Sequence, residues 1–413
     1  MAKASAVGRW PAFGAEGFGA YWIGGLVSDI GNWVQATTVP YVVLVLTHQA
    51  VWVGVSTAVG QLAQAAMILP GGRLADRGGR MRVLVIGNCA QLVLALGLAA
   101  TYASGRVRPW EIIAIVGVMS LGFGLQHPSW QTLPSELVGP ALLSSASHLT
   151  VTKFQAARAL GPLLAGALIA GPGAVYAFWF NAASFVAALL ALLWISRVRP
   201  TASAARDRKP VQRQSGSGKA FAMPAVVVGV MLTTAVAVLG LPTVQLATLL
   251  ASDTYHVGAD AYGILVSAFG WGSLVVAVVI SSFHGRRSRR GLAVGGLFLL
   301  AIAELAVGGI PHYAVGVAAM GLAGASFALV TTGTHAAIQI LAPPQSRGQA
   351  VAAYLLALRG GGGIGALVLI WLAGLVGVRT VVTLSGSIAL VLVAGLIMRP
   401  RWAGALDATS QPD

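Results

Sequence analysis

Twelve long apolar runs, separated by short polar segments, leave this chain few ways to fold. They fall at roughly 18–46, 52–70, 83–103, 110–130, 148–170, 174–195, 224–250, 260–283, 292–310, 313–341, 350–373 and 379–398. About 20 apolar residues wound as a helix cross the hydrocarbon core of a bilayer. In lipid a spanning segment must satisfy its own backbone hydrogen bonds, which a helix does. Charged residues make up 9% of the 413, apolar residues 57%, and mean hydropathy is +0.81. Soluble domains carry about 25% charged residues. The pattern therefore predicts an all-α membrane protein with twelve transmembrane helices and excludes a soluble enzyme. The single cysteine, Cys89, lies inside the third run, so no intramolecular disulfide is expected. Lys3, Arg9 and Pro11 precede a first run too long for a signal-peptide core, so no cleavable signal is expected either.

The net charge of +15 is explained by where the charges lie. Of the 26 lysines and arginines, twenty fall in segments on one side of the alternating runs. Three, Arg106, Arg108 and Arg379, fall on the other side, and Lys153, Arg158 and Arg359 lie inside runs. Such a bias predicts that both termini are cytoplasmic. It makes the lipid bilayer the partner of the positive charge, and no nucleic acid is required. Residues 197–223 carry seven basic residues with Ser, Gly and Pro and no apolar period, which predicts a cytoplasmic linker. It divides the chain into 1–196 and 224–413, each with six runs. The halves resemble each other. Setting Leu84 on Leu292 places Arg82 on Arg290, with His284 where Asp76 would be, so the second half keeps the positive charge and lacks the carboxylate. Likewise the segment around Arg158 lies on that around Arg359. Internal repeats of this kind mark transporter folds with a site between the halves.

The turn between the second and third runs reads Gly72, Asp76, Arg77, Gly79, Arg80 and Arg82 in the pattern G-x-x-x-D-R-x-G-R-x-R. It resembles the signature loop between helices 2 and 3 of the major facilitator superfamily, with Met81 where a second consecutive basic residue is common. The fifth run contains Gly161-Pro162 and Gly166, with Ala165 in place of a glycine, and is similar to the helix-5 motif of drug/proton antiporters. Small residues let helices approach and proline bends them. Ser28-Asp29-Ile30-Gly31-Asn32-Trp33, Leu133-Pro134-Ser135-Glu136, Asn181-Ala182-Ala183-Ser184-Phe185, Ser346-Arg347-Gly348-Gln349 and the glycines 360–363 resemble the enterobactin-exporter and macrolide-efflux branch. The resemblance implies two pseudo-symmetric six-helix bundles around a central cavity. It also implies a conformational latch at the 72–82 turn and export of a siderophore or drug from a bacterial cell by a monomer.

Ionisable groups inside a membrane are costly and mark function by default. At about 1.5 Å per residue, Asp29, Arg158 and Arg359 all lie about 14–17 Å into their runs. Asp29 and Arg158 are expected to interact and to couple transport to protons, with Asp29 carrying the proton and Arg359 facing the cavity from the second half. Two arginines against one aspartate leave positive charge for an anionic substrate. Asn32, Gln35, Gln64, Gln126, Gln155, Gln245 and His335 are candidate cavity residues, with Trp33, Trp130 and Trp271 as aromatic walls, although helix packing or an interface anchor is the commoner role for each taken singly. Glu304 lies at mid-depth in a peripheral run. Histidines without ligand spacing argue against a metal, and no phosphate-binding loop is present, so no cofactor is expected. The reading is a proton-coupled antiporter exporting a small amphipathic molecule by alternating access. Uptake by proton symport, lipid flipping and a transporter-like receptor remain as alternatives.

Overall fold

A computed structural model of the chain describes residues 10–198, 223–282, 288–342, 346–399, 402 and 404–407, with backbone alone at 76–78 and 281–282. All regular structure among them is helical. Twelve long helices follow the twelve runs: α1 (Phe18–Thr47), α2 (Ala50–Gly78), α3 (Arg80–Ala103), α4 (Pro109–Leu137), α5 (Leu143–Ala170) and α6 (Ala174–Val198) form the first half. The second half holds α7 (Pro224–Thr254), α8 (Ala259–Ser282), α9 (Arg289–Gly309), α10 (Tyr313–Leu341), α11 (Arg347–Val376) and α12 (Val378–Met398). Eleven of the twelve are long and apolar enough to cross a membrane; α5 has the length, but its polar first half lowers its hydropathy. Large apolar side chains such as Ile23, Val93 and Val391 are exposed, as lipid-facing positions are.

Two boundaries differ from the sequence reading. The basic stretch 72–82 is helical except at Gly79, whose φ of +80° makes the whole turn between α2 and α3. Glycine adopts that backbone shape without penalty, and the flanking Arg, Leu and Ala are good helix formers. The second difference lies in α7. It breaks after Leu239, resumes over Leu241–Leu249 and ends in a π turn at Leu250–Thr254. Pro242 has no N–H to donate to the preceding turn, which accounts for the break. The linker and the turn following α8 lie largely outside the described residues.

In the first half α1 packs on α5 and α6, α3 on α6 and α4, and α2 on α4. In the second, α7 packs on α10 and α11, α8 on α10, and α9 on α10 and α12. The halves meet chiefly through α2 against α11 and α5 against α8. Advancing six helices turns α2 into α8 and α5 into α11, so the two contacts are equivalent under the internal repeat.

The glycine-mediated approaches across these contacts lie in the part of the bundle remote from Gly79. A Cβ on Gly263 of α8 would lie 2.6 Å from the Pro162 carbonyl and 2.8 Å from the Gly166 Cα. On the other side, a Cβ on Gly54 would lie 3.2 Å from the Ala366 carbonyl, and one on Gly363 3.1 Å from Leu62. Tyr41 and Tyr262 stack at 5.7 Å, and the Tyr262 hydroxyl donates to the Thr37 carbonyl at 3.1 Å. Toward the Gly79 end no glycine of these four helices approaches the opposite half among the described residues. The close glycine-mediated packing between the halves is therefore concentrated away from the basic end.

Candidate functional site

Asp29 meets Lys153, with Nζ 3.1 Å from Oδ2. The lysine is buried and the carboxylate partly exposed, at 6% and 23% of side-chain surface. Three features of the sequence build this pair. Gly25, one helical turn before Asp29, has no Cβ, and a Cβ there would collide with the Lys153 ammonium. The rings of Tyr21 and Trp130 lie 4.7 and 5.9 Å from Nζ and offer it their negative faces. The Trp22 indole donates to the Leu149 carbonyl at 3.0 Å and fixes α1 against α5. The expected contact of Asp29 with Arg158 is not made: the carboxylate is satisfied one and a half turns earlier on α5, by a residue the sequence reading left without a role.

Arg158 instead lies in an aromatic box. Its guanidinium carbon is 4.4 Å from the Phe269 ring, 4.7 Å from Phe327 and 5.2 Å from Trp33. Trp33 belongs to the first half and the two phenylalanines to the second, so one side chain joins α1, α8 and α10. No carboxylate lies within ion-pair distance of it among the described residues. Arg359 is half-buried and donates to the Gln61 Oε1 across the α2–α11 contact at 3.4 Å. Close to it in sequence on α11, Tyr354 stacks on His335 at 4.7 Å, and the Gln339 amide lies 3.1 Å from the same imidazole.

The other predicted residues divide between packing and this space. Gln35 accepts from Asn181 at 2.7 Å and contacts the Met119 sulfur, and Gln126 accepts from Asn88 at 2.9 Å. Both are buried pins between helices of the first half, and their assignment to the cavity is corrected. Gln155 is buried as well, whereas Asn32, Gln64 and Gln245 are half-buried. Gly161 fits against Trp33 and Ile30 of α1, and Gly166 against Ala259 and Gly263 of α8, so the helix-5 motif lets α5 lie close to both halves at once.

At the basic end Arg80 pairs with Glu136 of α4. Arg82 is exposed, a Cβ on Gly72 would meet nothing within 4 Å, and the side chains of Asp76 and Arg77 lie outside the described residues. Sequence reasoning did not single out Lys153, Gln61, Phe269, Phe327 or Tyr354. For Lys153 the signal was present: it was one of three basic residues inside runs.

Residues 7–411 match a family described as transmembrane secretion effectors. The enterobactin exporter EntS of Shigella flexneri is 25% identical over 266 residues, which are 63% of this chain and 62% of that protein, so the match spans less than two thirds of the exporter. Among solved structures, an inward-facing bacterial homologue of the human lysosomal transporter Spinster aligns with a TM-score of 0.71 and 13% identity, covering 97% of this chain and 98% of that one. The inward-open xylose transporter XylE from E. coli aligns at 0.70 and 14% identity over 92% and 95%. These likenesses fix the fold as that of the major facilitator transporters.

Proposed function

This chain belongs to the transmembrane secretion effector family, a group of multi-pass membrane transporters rather than enzymes, and on that premise we propose that it exports a small amphipathic anion in exchange for protons. The observation that carries the proposal is the pair of arginines, Arg158 and Arg359, that line the space between the halves without a carboxylate partner among the described residues. A guanidinium in a low-dielectric chamber binds a carboxylate, phosphate or catecholate more strongly than it does in water. On the positive-inside bias the basic end is assigned to the cytoplasm of a bacterial cell, and a chamber that opens there would face the source of an exported compound. The 25% identity to an enterobactin exporter supports a siderophore-like cargo.

Asp29 and Lys153 are the proposed proton exchanger. When Asp29 carries a proton it is neutral and the ion pair is lost; when the proton leaves to water, the carboxylate re-forms the pair with the Lys153 ammonium. The pair is formed in a structure whose halves pack most closely away from the basic end, which suits proton release to the cytoplasm before cargo loads. Closure of that end and separation at the remote end, by rocking of the halves, would then carry the cargo across. Arg80–Glu136 and the 72–82 segment are proposed to bias that movement as a latch.

The test is accumulation in proteoliposomes under an imposed pH gradient, across a panel of siderophores and antibiotics. Movement of an anionic member that depends on the gradient is expected. If no compound moves while one binds tightly, a receptor replaces the transporter reading.

A further inference from the structure

Glu304 is the one carboxylate among the described residues that is wholly buried, at 0% exposure, and it takes no part in the space between the halves. It lies on α9, packed against the break in α7. Leu300, one turn earlier, rests against Gly240 at that break, where a Cβ would lie 3.0 Å from its methyl group. Glu304 itself faces Thr243, whose hydroxyl lies 2.8 Å from Oε1. Gly386 of α12 closes the other side, 3.0 Å from the Glu304 Cβ to a Cβ built there. The second oxygen, Oε2, is buried and meets no hydrogen-bond partner, and neither does the buried Ser385 hydroxyl next to Gly386 in sequence.

The surroundings offer no counter-charge. On α7 the titratable residue is Asp253, in the terminal π turn; on α10 they are Tyr313 and His335; on α12 it is Arg379. Arg379 donates to the carbonyls of Gly308 and Gly309, beyond Glu304 on α9, at 3.0 and 3.1 Å. His335 stacks on Tyr354, and Tyr313 donates to the Ala261 carbonyl. An ionised carboxylate here would be a lone charge in a dry site.

The hydrogen count decides the rest. The Thr243 hydroxyl has one hydrogen and two acceptors in reach, Glu304 Oε1 at 2.8 Å and the Leu239 carbonyl at 3.3 Å. That carbonyl ends the first segment of α7. If Glu304 is ionised, the single hydrogen goes to the carboxylate. With a proton on the Glu304 carboxyl, the acid donates to the Thr243 oxygen and the threonine donates to Leu239, so both hydroxyl hydrogens and the Leu239 carbonyl are used and the unpartnered Oε2 carries no charge.

We propose that Glu304 is a second proton-binding site, separate from Asp29, and that its bound proton orders the Glu304–Thr243–Leu239 hydrogen-bond chain that fixes the break in α7. The proposal does not depend on the export reading, because its test needs no cargo. Infrared spectra of the purified protein in lipid vesicles at neutral pH are compared with those of Glu304→Gln. A protonated-carboxyl stretching band that shifts in heavy water and is missing from the variant is expected. Absence of that band from the native protein overturns the proposal. A Gln amide can donate as the acid does, whereas Glu304→Leu cannot. Amide hydrogen exchange over residues 239–243 is therefore expected to be slow in the native protein and in Glu304→Gln and at least several-fold faster in Glu304→Leu. Equal exchange in all three removes the link to α7.

Discussion

Arg158 and Arg359 occupy equivalent positions under the internal repeat, and each contacts the opposite half. The Arg158 carbonyl backs onto Gly270 of α8, and the Arg359 guanidinium reaches Gln61 of α2. The two cations thus lie on the two contacts that join the halves, α5 against α8 and α2 against α11. An anion bound between them would touch both moving bodies, which is what a rocking transporter requires of its cargo site.

Replacing either arginine by alanine should weaken binding of an anionic cargo by about 10- to 150-fold, as expected for loss of a charged hydrogen bond worth roughly 1.5–3 kcal/mol. Lysine at 359 should restore part of the loss. Lysine at 158 should restore less, because the flat guanidinium stacks on rings in a way an ammonium cannot. Binding titrations in detergent measure both, and equal losses for neutral and anionic ligands would remove the arginines from anion selection.

Removing one member of the Asp29–Lys153 pair should cost more than removing both. Lys153 is almost fully enclosed, so Asp29→Asn leaves its ammonium without a counter-charge, facing aromatic rings and a neutral amide. Breaking a buried pair costs about 3–5 kcal/mol; the partial exposure of Asp29 places this case near or below the lower end. Thermal melting should rank the native protein first, Asp29→Asn with Lys153→Met next, and the single variants last. Transport by Asp29→Asn should lose its response to a pH gradient while exchange of cargo across equal pH continues. A retained response would end its role as the proton carrier.

How much of this was legible in the sequence depends on which physical signal each feature obeys. Apolar length and the basic bias obey lipid solvation, so the twelve helices and the repeat could be read directly. Pairings between helices obey register, and a small boundary error moves them. Starting α5 near 148 set Arg158 level with Asp29; the helix starts at Leu143, so Lys153 lies about ten residues in, against about eleven for Asp29. Both α1 and α5 begin at the basic end, and equal depth selects the lysine. The amide residues mislead for another reason. Gln35 and Gln126 bond to Asn181 and Asn88 inside one half, and a buried amide pair looks in sequence like a pair lining a polar chamber. The aromatic box around Arg158 draws on α1, α8 and α10 together, and no spacing along one helix encodes it.

A side chain at Gly263 should push the remote end open. Any Cβ there meets the Pro162 carbonyl and the backbone of Gly166, which cannot move aside without separating α5 from α8. Overpacking of about 1–3 kcal/mol would shift the balance between the two access states by roughly 5- to 150-fold. In a Cys89→Ala background, a cysteine replacing the exposed Phe154 should react with a membrane-impermeant thiol reagent from the basic side. Gly263→Val should slow that reaction severalfold. Unchanged labelling would mean that the contact does not govern access.

The tail contributes a carboxylate that the second basic turn lacks. Asp407 lies against the start of α9: the Ser288 hydroxyl and the Arg290 backbone N–H donate to it, the latter at 3.3 Å, and the Arg289 guanidinium is 3.9 Å away. Leu406 beside it is fully buried. Slight burial raises the Asp407 pKa, but the Ser288 hydroxyl, the backbone N–H groups and the Arg289 charge outweigh it and hold the carboxyl below its ordinary range. A depressed folded-state pKa stabilises the docked tail above the unfolded value, near 3.9 for Asp, and that stabilisation is lost as pH falls through the folded value. At neutral pH the anchoring is therefore complete, and Asp407→Asn should weaken it by about 1 kcal/mol or less, since the side chain is 35% exposed and solvent screens it. Limited proteolysis should release the tail faster in the variant at neutral pH. Acidification through the depressed folded-state value, which lies below the ordinary value of about 3.9, should bring the native protein to the same rate, and 1 M salt should narrow the gap between them by screening Arg289.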